Sequence, residues 1–129
     1  MGLDMYLNGN KFLTTFDQDR PMEDGFPVQS RSLELGYWRK HPDLHGYIVN
    51  TFADGLDECQ EIELSLANIV TIIKAVTDKH LPRTSGFFFG ESNGSEKKET
   101  LRIFRNAREW LHEQPKKGEW RSVIYRASW

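Results

Sequence analysis

Leu33-Glu34-Leu35-Gly36-Tyr37-Trp38-Arg39-Lys40-His41-Pro42-Asp43-Leu44-His45 changes its period in the middle. Up to Tyr37 the pattern is two-fold: Leu33, Leu35 and Tyr37 alternate with Ser32, Glu34 and Gly36, which predicts a half-buried strand with the first three facing inward. Pro42 then suits the first turn of a helix, and Leu44, Tyr47, Ile48 and Phe52 recur behind it at helical spacing. The corner between the two carries Tyr37, Trp38, Arg39, Lys40, His41 and His45, so aromatic, cationic and imidazole groups converge on one turn.

Working outward, Leu3–Leu7 reads as a short opening strand. Asn8-Gly9-Asn10 reads as a hairpin turn that pairs it with Lys11–Phe16. Residues 17–29, with Pro21, Gly25 and Pro27, read as an irregular loop. Beyond the first helix, which Asp54-Gly55 stops, Gln60, Ile62 and Leu64 alternate with Cys59, Glu61 and Glu63 in a strand with one acidic face. Ser65 is placed to cap a helix with the apolar face Leu66, Ile69, Val70, Ile73 and Val76, ended by Pro82. Gly86-Phe87-Phe88-Phe89-Gly90 reads as a central strand. Residues 96–114 form a third helix on the spacing Leu101, Phe104, Ala107, Leu111, and Trp120–Ala127 a last strand. The expected fold class is therefore α+β: one domain over residues 1–129, with a mixed or antiparallel sheet and about three helices mostly on one face.

A chain of 129 residues with 28% charged and 38% hydrophobic side chains has the make-up of a compact folded protein, not of a disordered one. One cysteine, Cys59, excludes an intrachain disulfide and a CxxC zinc framework, which fits a reducing compartment. No apolar run reaches membrane-spanning length, so a cytoplasmic protein without membrane attachment is expected. Charge is uneven: residues 1–96 hold 8 Lys and Arg against 15 Asp and Glu, and residues 97–129 hold 9 against 4. Arg102, Arg105 and Arg108 recur every third residue, but the domain as a whole is not basic enough to predict specific nucleic-acid binding.

Catalytic signatures are absent. His41 and His45 are four apart, but Pro42 stands where a metalloprotease helix carries its glutamate, and no metal is expected. Cys59 lies among Glu58 and Glu61, which disfavour a thiolate. The acids from Asp54 to Glu63 lack calcium-loop spacing, and Gly86–Gly90 has no lysine for a phosphate loop. No cofactor is expected. The corner suggests binding instead: Tyr37 and Trp38 to stack on a base, Arg39, Lys40 and Arg83 to neutralise phosphate, Thr84 and Ser85 to donate hydrogen bonds, and His45 beside them. Ordinary cation–aromatic surface packing explains the same residues without a ligand.

Met1-Gly2-Leu3-Asp4-Met5-Tyr6-Leu7, Glu34-Leu35-Gly36-Tyr37-Trp38-Arg39-Lys40, Asp57-Glu58-Cys59, Leu81-Pro82, Ser85–Gly90 and Tyr125–Trp129 together resemble a family of small bacteriophage and prophage proteins without a settled activity. The resemblance implies a viral accessory role in an infected bacterium. Such a protein would counter host defence by sequestering a cyclic or ADP-ribose-type nucleotide signal, or by occluding a host protein. The leading expectation is a non-enzymatic binder of a small anionic nucleotide-like ligand that assembles as a homo-oligomer. The alternatives are an inhibitor that docks on a host defence or replication protein through Trp110, Trp120 or Trp129, and a hydrolase of a nucleotide signal using His41 or His45 with Glu58.

Overall fold

The computed structural model describes residues 2–13, 20–79, 81, 97–113 and 119–129. Its main sheet has four antiparallel strands in the order β4-β1-β6-β5, formed by β1 (Asp4–Leu13), β4 (Ser30–Arg39), β5 (Ile62–Leu64) and β6 (Glu119–Ser128). The two-residue strands β2 (Met22–Glu23) and β3 (Phe26–Pro27) make a separate hairpin. Among the described residues three helices complete the fold: α1 (Pro42–Phe52), α2 (Leu66–Thr77) and α3 (Lys97–His112). The α+β architecture expected from the sequence is the one observed.

Two strand expectations are corrected. Asn8-Gly9-Asn10 is no turn: β1 runs straight through it, pairing with β4 on one side and β6 on the other. Gly9 serves packing, because a Cβ there would stand 2.8 Å from Trp110 Cη2 and 2.9 Å from Cζ3, in the space the α3 indole occupies. The hairpin lies instead in the expected loop, where Asp24 (φ 52°) and Gly25 (φ 84°) link β2 to β3 in the left-handed pair that a two-residue turn demands.

The second correction concerns which face of β4 is buried. The register with β1 shifts between Leu7 and Asn8, leaving Leu35 as the extra residue of a bulge. Beyond it Gly36 and Trp38 pair with Leu7 and Met5 on the helix side, and Tyr37 pairs with Tyr6 on the other. Tyr37 is therefore 42% exposed, and Gly36 is buried in its place. Gly36 lets α3 approach closely, since a Cβ there would run into the Ile103 side chain.

The core lies between the helices and one sheet face. Leu3, Met5, Leu7, Trp38, Ile62, Leu64, Val123, Tyr125 and Ala127 pack against Leu44 and Ile48 of α1, Ile69, Ile72 and Ile73 of α2, and Ile103, Phe104 and Ala107 of α3. Ser65 caps α2 as its position predicts, its hydroxyl accepting from the Asn68 N–H at 3.1 Å. Val70, expected on the inner face of α2, is exposed, and Ile72 is buried in its stead. The expected strand at Gly86–Gly90 lies outside the described residues. Arg121 ties the end of α3 to the sheet: its guanidinium donates to the Trp110 carbonyl at 2.8 Å, lies 4.9 Å from the Trp110 ring centre, and pairs with Glu119 and Glu113 at 3.3 Å.

Candidate functional site

Strand alternation divides the cluster expected at the corner. Trp38 points into the core at 4% exposure, stacked on Phe104 at 5.5 Å, with its Nε1–H donating to Thr100 Oγ1 at 2.9 Å. It has no face open to a base, so the stacking role assigned to it is corrected. Arg39 and Lys40 are exposed at the end of β4. Lys40 adopts φ 60°, and its N–H donates to the Leu3 carbonyl at 2.8 Å, which turns the chain off the sheet toward α1. Arg83, Thr84 and Ser85 lie outside the described residues.

His45 is also interior, 2% exposed, and both its ring nitrogens are engaged. Nδ1 meets the Tyr125 hydroxyl at 2.7 Å, and Nε2 lies 3.0 Å from both carboxylate oxygens of Asp57. Trp129 packs edge-on against the imidazole at 5.5 Å. Burial, with the Asp57 charge second, pushes the Tyr125 phenol well above its ordinary pKa, so it stays a hydrogen-bond donor. The histidine thus meets Asp57 instead of Glu58, in a partly buried chain that fastens α1 and the following loop to β6. A ligand-binding role for His45 is corrected on this ground, because neither nitrogen is left for a ligand. His41 precedes α1 and is buried, with interactions of its own. No group of metal-ligating side chains converges among the described residues. Cys59 is half-buried in the turn before β5, at φ 58°.

The face of the sheet opposite the helices carries a different constellation. The register sets Tyr37, Tyr6 and Arg126 in one row across β4, β1 and β6, and Arg39, Asp4 and Ser128 in the next. The Tyr6 and Tyr37 rings lie 5.2 Å apart, tilted by 49°. Tyr37 donates its hydroxyl to Asp4 Oδ1 at 2.5 Å, and that bond, ahead of burial, raises the pKa of this phenol. Two aromatic rings, two guanidinium groups and a carboxylate therefore share one exposed patch. At the other end of the face Phe12 pairs with Trp120, which are 44% and 69% exposed.

Tyr6, Asp4 and Arg126 were not among the expected site residues. Tyr6 and Asp4 were within reach, since the alternation of Leu3, Met5 and Leu7 inward turns them outward. Arg126 was not, because its place depends on β6 pairing beside β1. The other expected docking aromatics, Trp110 and Trp129, are half-buried against Gly9 and His45.

No family model, curated protein or solved structure matches this chain. No helix among the described residues is long and apolar enough to cross a membrane.

Proposed function

We propose that the protein is a non-enzymatic binder of a small anionic nucleotide-like ligand, held on the sheet face at Tyr6, Tyr37, Arg39 and Arg126. The observation that carries this is the adjacency of the tyrosine pair to two guanidinium groups in neighbouring register rows. A ring stacked on tyrosine contributes about 1–3 kcal/mol, and a guanidinium grips phosphate through paired N–H donors. Asp4, between Arg39 and Ser128, would repel a bare phosphate but can accept from a ribose hydroxyl or a base amino group. The mixture suits a nucleotide better than an inorganic anion. A role in disarming a nucleotide-signalled host defence rests on the resemblance to phage accessory proteins.

Native mass spectrometry of the protein purified from bacteria, followed by titration calorimetry with ADP-ribose and cyclic dinucleotides, tests the reading. One of these should bind, and Tyr37→Ala, Arg39→Ala and Arg126→Ala should each weaken it about tenfold or more. No bound nucleotide and no heat with any of them, or affinities indifferent to all three substitutions, overturns it.

A second reading is favoured by the Phe12–Trp120 pair. Exposed aromatic side chains of this kind anchor the centres of protein interfaces, which fits an inhibitor docking on a host protein. One host protein retained in stoichiometric amount by the wild type and lost with Trp120→Ala supports it; retention unaffected by the substitution removes Trp120 from the role.

A further inference from the structure

β4 is an edge of the sheet and ten residues long, with β1 as its only neighbour among the described residues. An open edge presents a row of backbone N–H and C=O groups, and natural proteins shield such edges with prolines, charges or covering chain. β4 has no proline, its charges in this half, Arg31 and Glu34, are of opposite sign, and Ser30, Arg31, Ser32, Leu33 and Glu34 are all exposed, so no described residue covers either face there. Its bulge comes only at Leu35, after the exposed stretch. No register shift interrupts its pairing with β1 along that stretch. What satisfies a row of backbone donors and acceptors is another extended strand.

The side chains narrow the choice of strand. Ser30, Ser32 and Glu34 pair with Phe12, Asn10 and Asn8, which places them on the face away from the helices. Arg31 and Leu33 pair with Lys11 and Gly9 on the helix face. A second copy of β4, laid antiparallel about a two-fold axis through Ser32, keeps every residue on its own face. It sets Arg31 opposite the partner's Leu33, Ser30 opposite the partner's Glu34, and Ser32 on itself. The arginine stem then covers leucine, a hydroxyl meets a carboxylate, and no like charges face each other.

We propose that two copies of this chain join through β4 of each, paired antiparallel about Ser32 to make one continuous eight-stranded sheet. The tyrosine–arginine patches of both copies then lie on the same face of that sheet. The pairing is independent of what those patches bind.

Sedimentation velocity over a range of concentrations tests it in the full chain. The wild type should form a dimer of twice 15.1 kDa. Ser32→Lys sets two lysines opposite each other on the axis, and Leu33→Lys sets a lysine against the partner's Arg31. Each should raise the dimer Kd at least about tenfold. Leu33→Glu sets a carboxylate against the same arginine and should dimerise as well as the wild type or better. Both positions are exposed, so circular dichroism should show the native fold in each variant. A wild type that stays monomeric at its highest soluble concentration overturns the proposal, as does a dimer unmoved by both lysine variants.

Discussion

Gly36→Ala offers the sharpest test of how α3 meets the sheet. An alanine methyl at 36 would stand 2.9 Å from Ile103 Cδ1 and 3.1 Å from Cγ1, and nearer still to Cγ2. Ile103 is buried and branched at Cβ, so within a helix it has one strongly preferred rotamer and cannot swing aside. Relief requires α3 to lift, which strains the Phe104 stack on Trp38 and the Thr100 hydrogen bond one turn away. Overpacking of this kind costs about 1–3 kcal/mol, and the smaller chain entropy of alanine returns up to about 1 kcal/mol. A net loss of about 2 kcal/mol is expected, read as a Tm lower by roughly 8 °C in a chain of this size. Ile103→Ala alone should cost about 2–5 kcal/mol through the cavity it leaves. In the double variant the new methyl occupies part of that cavity. The combined loss should therefore fall short of the sum by about 1 kcal/mol or more in urea unfolding. Additivity within about 0.5 kcal/mol would refute the packing argument.

Three further outcomes are expected. Tyr125→Phe removes the hydroxyl that is hydrogen-bonded to buried His45 Nδ1 and should cost about 1–3 kcal/mol in urea unfolding. The Tyr125 phenol is raised when folded, so the native state keeps a proton that the unfolded chain releases above about pH 10. Its contribution is whole below that pH and falls as pH rises beyond it, so wild-type stability should drop there more steeply than that of Tyr125→Phe. Arg121→Ala removes a nearly buried guanidinium that pairs with Glu119 and Glu113 and donates to the Trp110 carbonyl; a loss of about 2–4 kcal/mol is expected, seen as early melting of α3 by hydrogen exchange.

Much of the architecture was legible because local chemistry and global packing agree. Pro42, Ser65 and the apolar spacings of Ile69, Ile73, Phe104 and Ala107 give the helices, and the alternation from Ile62 to Leu64 gives β5. Asn8-Gly9-Asn10 misled because its glycine answers to an indole from a helix a hundred residues later, a long-range demand that imitates a local turn signal. The bulge at Leu35 misled in the same way, since one inserted residue exchanges the faces of everything beyond it. The candidate site was half legible. Tyr37 and Arg39 stand on one strand two residues apart, whereas their companions arrive through pairing register, which no period within a single strand records.

β1 lies between a strand that begins at residue 30 and one that begins at residue 119. During synthesis it can pair with β4 early, but its other edge stays open until about eighty further residues have been made. Contacts of such long sequence separation slow folding, and a half-built sheet exposes the edge most prone to aggregation. The β1–β6 pairing is therefore expected to limit the folding rate, and a fusion that holds β6 close to β1 should accelerate it.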